Sequence, residues 1–367
     1  MSDPFGVLPP PPPPPPEPLP KRPFLPVTYA LLVALALAFL AEGIVGHDAS
    51  VESGVALIRM GALYLPAIRD GDYWRLGSYA FLHIGWLHIA ANCWSLWILL
   101  PQLELAFGSN LALGFFSATS IAGGAASVGW AVLRGHDELL AAGASGGVMG
   151  LFGAALAFAW RTRHRFSPAA RRVLMRQLIL NLLINVYIAF SFPVDNAAHL
   201  GGLFFGFILG TLAPQGSLPR GWWQKPIQWF VVASVLVLAS MEGAAFTRAV
   251  KPKPRLLRGP GVEAQISGLL IPTGPGHAEL PGAAEIFVRR EREPLPEAAS
   301  AQTISIGGRT WIREREKTAS GEDHTVLAAS DGPGRLIIQM ACADPFCRGD
   351  EGDKLLEQTA RTIRTSP

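Results

Sequence analysis

Along the first 250 residues, apolar runs alternate with short polar or turn-forming stretches. The runs cover residues 27–45, 84–100, 111–133, 145–160, 173–190, 197–213 and 227–246. The first is long enough to span a hydrocarbon core of about 30 Å as a helix, and the pattern as a whole predicts a chain that crosses a membrane seven times. Between the runs lie a polar and aromatic connection at 47–82 containing Tyr73-Trp74-Arg75, a short link at 101–110 containing Glu104 and Gly108, and a loop at 134–142. Beyond residue 250 the pattern changes. Residues 251–300, rich in Pro, Gly and Ala, are expected to be a flexible linker with little structure. From about Thr303, short alternating stretches at 303–306, 309–315, 325–328 and 336–342 predict strands separated by Gly and Asp turns, and 353–363 predicts a terminal helix. Residues 301–367 are thus expected to form a small soluble α+β domain. The fold class expected is an all-α polytopic membrane protein followed by that domain.

Composition agrees with the membrane assignment. The chain of 367 residues is 50% hydrophobic and 16% charged, where soluble domains carry roughly 25% charged residues. The formal net charge of +3 gives no reason to expect a nucleic-acid partner. Residues 9–16 are all proline, so 1–26 is expected to be a stiff, disordered polyproline II tail.

The placement of basic residues sets an expected orientation. Arg161, Arg163, Arg165, Arg171, Arg172 and Arg176 fall between the fourth and fifth runs or at the start of the fifth, with no acid among them. That loop is expected in the cytoplasm, together with Lys21, Arg22, Arg220 and Lys225. The starts of the second, fourth and sixth runs then share the outer side. Arg248, Lys251, Lys253, Arg255 and Arg258 follow the seventh run and run against this scheme, because seven spans place them and the tail domain outside.

Three polar groups mark the shared outer ends: His88, Ser145 and His199. Ser145 stands in Gly143-Ala144-Ser145-Gly146-Gly147, and His199 stands in Asp195-Asn196-Ala197-Ala198-His199-Leu200-Gly201-Gly202. His199, Gly202, Gly206 and Gly210 fall on one helical face, and Ser145, Gly146, Gly150 and Gly153 form a similar stripe. Small residues at this spacing let two membrane helices approach closely. Packing accounts for the glycines but not for a serine and a histidine at the same depth. With the stripes in contact, His199 is placed to take the Ser145 proton, which is nucleophilic acyl transfer by a Ser–His pair with no obvious Asp partner. His88 and Asn92, four apart, share one face of the second run and can donate to a developing oxyanion beside the Ser145 N–H. The structural alternative for His88 and Asn92 is an interhelical hydrogen bond. His83 is expected to order the loop before them.

This set resembles the rhomboid intramembrane serine proteases. The matching elements are Tyr73-Trp74-Arg75, His83 with Leu87-His88-Ile89-Ala90-Ala91-Asn92, Glu104 with Gly108, Gly143-Ala144-Ser145-Gly146, and Ala198-His199-Leu200-Gly201-Gly202 with Gly206 and Gly210. They occur in the family's order across 27–213. The resemblance implies a six-helix protease core at 27–213 that cleaves the transmembrane segments of membrane proteins without a cofactor or a metal. It makes Ser145 the nucleophile, His199 the general base, and His88, Asn92 and the Ser145 N–H the oxyanion donors. It places Trp74 and Arg75 in a supporting interface loop and Phe190-Ser191-Phe192-Pro193 in a mobile cap. Residues 214–250, with a seventh helix, and the tail lie beyond the six-helix core.

A bacterial inner membrane is the expected location, with the N-terminus cytoplasmic and the C-terminal domain outside. There Cys342 and Cys347 can form a short-loop disulfide; two unpaired cysteines in a cytoplasmic domain is the alternative. The competing functional reading is a membrane protein that binds transmembrane segments without cutting them. A transporter would place charged residues within several spans, and these are scarce.

Overall fold

The computed structural model describes residues 24–46, 54–136, 139–165, 167–191, 194–214 and 224–250, and between 254 and 365 the strands, most of their turns and the terminal helix. The expected disordered tail at 1–26 falls almost wholly outside these residues.

Helix α1 covers Pro26–Gly46. A segment of short elements follows: α2 (Gly54–Met60), β1 (Leu63–Tyr64), α3 (Leu65–Arg69), α4 (Arg75–Ser78) and a 3-10 turn at Tyr79–Phe81. Next come α5 (Gly85–Phe107), α6 (Ser109–Leu133), β2 (Leu140–Ala141), α7 (Ser145–Arg161), α8 (Pro168–Ser191), α9 (Asn196–Leu212) and α10 (Gln224–Val250). Every predicted apolar run is a helix. The link expected at 101–110 is not a loop. Helix α5 runs through Pro101 to Phe107, and the chain reverses at Gly108 alone, whose φ of 88° suits glycine.

Helices α1, α6 and α10 are each long and apolar enough to cross a membrane, and the pair Arg75–Phe81 and Gly85–Phe107, bent by 94°, passes the same test as one unit. Helices α7 and α9 have 17 residues each. Such a helix rises about 26 Å, less than the thickness of about 30 Å to be crossed. Their two ends therefore cannot both be level with the membrane surfaces.

Glu104 shows how the bundle closes. Pro26 opens α1 without an N–H of its own, and the next donors are met from another helix. The Val27 N–H reaches Glu104 Oε1 at 3.0 Å, and the Thr28 N–H and hydroxyl reach Oε2 at 3.0 and 2.8 Å. Ser109 donates to Oε1 at 2.8 Å. One buried carboxylate thus caps α1 and ties it to the α5–α6 turn.

The stretch expected to be an unstructured linker, 251–300, carries five strands: β3 (Arg255–Gly259), β4 (Val262–Ile266), β5 (Ile271–Gly274), β6 (His277–Leu280) and β7 (Ala284–Glu291). They join β8 (Gln302–Ile306), β9 (Arg309–Lys317), β10 (Asp323–Asp331), β11 (Gly334–Cys342), α11 (Asp350–Thr362) and β12 (Arg364–Thr365). A seven-stranded antiparallel sheet has the order β5-β6-β7-β11-β10-β9-β8, and a three-stranded one the order β12-β4-β3. The domain boundary therefore falls near residue 254 rather than 300. Trp311, Ile338 and Leu356 lie in its core, and Asp353 ties α11 to Arg313 and Arg315 of β9. Cys342 is disulfide-bonded, and its expected partner Cys347 lies outside the described residues.

This domain packs on the segment between α1 and α5. Ile58, Tyr64 and Ala67 are buried in the same apolar cluster as Leu257, Val262 and Ile286 of the tail domain. Arg255 forms ion pairs with Asp70 and Asp72, and Arg248 of α10 lies 3.7 Å from Asp72. Two of the five basic residues that ran against the expected orientation are therefore matched by acids of the first connection.

Candidate active site

Helices α7 and α9 lie backbone against backbone. A Cβ on residue 202 would sit 2.1 Å from the Gly146 carbonyl oxygen, one on 206 would sit 1.9 Å from that of Gly150, and one on 210 would sit 2.7 Å from Ala154 Cα. The contacts advance by four residues on both helices together, so the helices run parallel and start at the same level. Ser145 is the first residue of α7, and His199 lies in the first turn of α9.

Asp195 fixes the start of α9. Its Oδ1 accepts the Ala198 N–H at 2.9 Å, and its carbonyl accepts the His199 N–H at 3.1 Å. The sequence contains this signal, an aspartate three residues before the capped amide. The His199 Nε2 atom is buried and without a hydrogen-bond partner. The imidazole is thus in place with that nitrogen free, and no hydrogen bond joins it to the Ser145 hydroxyl.

His88 approaches the serine from α5. Its Nδ1 accepts the Ile84 N–H at 3.3 Å, so in the neutral ring the proton is assigned to Nε2. That nitrogen faces Gly143, two residues before the serine. A Cβ on Gly143 would lie 2.8 Å from His88 Nε2 and 3.7 Å from Ser145 Oγ. Gly143 has φ of 134°, so both the space and the backbone there require glycine. Asn92 is buried and donates through Nδ2 to the His88 carbonyl at 3.0 Å, which leaves its second amide hydrogen for other use. His83 is fully buried and stands edge-on to His88, with ring centroids 5.1 Å apart. Its backbone N–H donates to the Glu42 carboxylate at 3.1 Å, which ties α1 to the turn before α5.

Trp74 and Arg75 do not join this group. The Arg75 guanidinium lies over the Trp74 ring, 4.6 Å from its centre, and donates to the carbonyls of Ile58 and Ala62 at 2.8 and 3.0 Å and to Asp72 at 3.3 Å. It closes the connecting segment on itself. The four residues expected to form a cap, Phe190 to Pro193, have no described side chains.

A model of the rhomboid domain matches residues 70–215, the stretch that holds all of these groups except Glu42, Ile58 and Ala62. This chain carries a rhomboid domain. It is 33% identical over 181 residues to rhomboid protease GluP of Bacillus subtilis, covering 49% of this chain and 33% of that one. It is 33% identical over 165 residues to RHOMBOID-like protein 5 of Arabidopsis thaliana, covering 43% and 51%. To rhomboid protease GlpG of Yersinia enterocolitica it is 30% identical over 190 residues, covering 50% and 61%. The chain thus spans between a third and about three fifths of the length of these relatives. Helix α1, helix α10 and the tail domain lie outside the matched rhomboid domain.

Within the rhomboid domain, Tyr79 was not evident from sequence. Its hydroxyl donates to the Ser120 carbonyl at 2.9 Å and would lie 2.8 Å from a Cβ on Gly146, while its own carbonyl accepts the Gly143 N–H at 2.9 Å. It wedges the connecting segment against the start of α7. Arg161 is the other omission: it donates to the carbonyls of Gly210 and Ala213 at 3.0 and 2.7 Å and closes the far end of α9. A tyrosine in a polar connection and an arginine that ends α7 carry no periodic signal.

Proposed function

We propose that this protein is a serine endopeptidase that cuts the transmembrane segments of membrane proteins within the bilayer. In this reading Ser145 attacks the scissile carbonyl and His199 takes its proton through Nε2 and returns it to the leaving amine. His88 Nε2–H, the free hydrogen of Asn92 Nδ2 and the Ser145 N–H stabilise the oxyanion. The observation that carries the reading is the parallel, backbone-close pairing of α7 and α9, which sets Ser145 and a buried, unpartnered His199 Nε2 at one level. A six-plus-one helix arrangement, a cytoplasmic N-terminus and an inner-membrane location complete the proposal. The similarity to proteins named rhomboid proteases supports it.

The test is cleavage of a single-span reporter in vesicles. The expected result is a cut within the span by wild type and none by Ser145→Ala, with both proteins melting cooperatively. Equal cleavage by Ser145→Ala would refute the proposal. Binding of the reporter without any cleavage by wild type would favour the non-catalytic alternative.

A further inference from the structure

We propose that the tail domain is a positioning element of the site, acting through Arg255 on the segment that carries the approach to Ser145. This rests on the peptidase reading above. The path is continuous. Arg255, buried at 9% exposure, forms ion pairs with Asp70 and Asp72, and Asp72, at 4%, also takes the Arg75 guanidinium. Arg75 in turn holds the carbonyls of Ile58 and Ala62, and Ser78 holds that of Gly61 at 2.7 Å. The clamped segment then grips the stretch before the nucleophile at three backbone points. Leu63 and Tyr64 pair with Ala141 and Leu140, the Leu65 N–H meets the Leu139 carbonyl at 3.0 Å, and the Tyr79 carbonyl takes the Gly143 N–H. Gly143 adjoins both His88 and Ser145.

The apolar contact adds to the ion pairs. Ile58, Tyr64 and Ala67 are buried in the core of the tail domain, so the domain and the segment share one hydrophobic cluster. Arg248 and the packing of Met241 and Leu238 against Gly77 hold the same segment from α10. Loss of Arg255 leaves two buried or half-buried carboxylates short of a cation and lets the segment shift. A displacement of the order of 1 Å at a catalytic group lowers turnover by about a hundredfold in the extreme.

The experiment compares full-length Arg255→Ala and Arg255→Lys with wild type in vesicles. It reads kcat and KM on the reporter, and hydrogen–deuterium exchange of residues 54–82 and 139–145. Arg255→Ala is expected to lower kcat by about tenfold or more, with KM within about twofold, and to raise exchange in both stretches. Arg255→Lys, which keeps the charge, is expected to restore more than half of the turnover. Unchanged exchange in both stretches, or equal kcat for all three proteins, overturns the inference. If wild type does not cleave, the peptidase reading fails, and the exchange arm alone decides whether the tail domain orders these stretches. If Arg255→Ala does not fold, Asp70→Asn, which weakens only the outer pair, is the substitute: it is expected to raise exchange in the same stretches, and unchanged exchange again overturns the inference.

Discussion

At the scale of single residues, the site depends on side chains that are missing as much as on those present. Gly206 is the sharpest case, because any Cβ there would lie 1.9 Å from a backbone oxygen, and backbone cannot give way as a flexible side chain can. Gly206→Ala is expected to push α9 from α7, costing about 1–3 kcal/mol as for other overpacked positions, and to lower the melting temperature. Glu104 is the polar counterpart. Replacing it by Ala leaves the Val27 and Thr28 N–H groups of α1 without acceptors, and a loss of about 2 kcal/mol is expected in a chemical or thermal unfolding series. The glycine stripes were legible in the sequence because their period of three and four is a pattern. Tyr79 and Glu42 were not, because their roles arise from loop geometry that no periodicity encodes.

At the scale of elements, α10 behaves as part of the bundle rather than as an appended anchor. A Cβ on Gly114 of α6 would lie 2.2 Å from Val231 Cγ1, and the Ser234 hydroxyl reaches the Gly114 carbonyl at 3.1 Å. Gly129 of the same helix has nothing within 4 Å. Gly114→Leu is therefore expected to destabilise the fold by about 1–3 kcal/mol and Gly129→Leu to leave it unchanged, as measured by paired melts in one detergent. Each apolar run of the sequence became a helix, since twenty or so apolar residues in lipid have little choice. The break at 101–110 was overestimated because proline is read as a stop, whereas a membrane helix can carry Pro101 and turn at a single glycine.

At the scale of the whole molecule, the tail domain and the approach to Ser145 occupy one side. The sequence placed the tail outside against its own basic residues, and the ion pairs of Arg248 and Arg255 with acids of the first connection account for two of those charges. The five strands in 255–291 were not expected because the Pro and Gly between them read as linker, although Val262–Ile266 alternates between buried and more exposed positions. A cysteine introduced by Gln302→Cys is expected to react with a membrane-impermeant maleimide on intact cells, and one introduced by Arg163→Cys only after lysis. The reverse pattern would invert the topology.

Whether Ser145 and His199 act as an activated pair is read by reaction of the purified protein with a fluorophosphonate serine probe. Wild type is expected to be labelled, and both Ser145→Ala and His199→Ala to lose the label while remaining folded. A folded wild type that takes no label, or labelling that survives in Ser145→Ala, would contradict an activated pair.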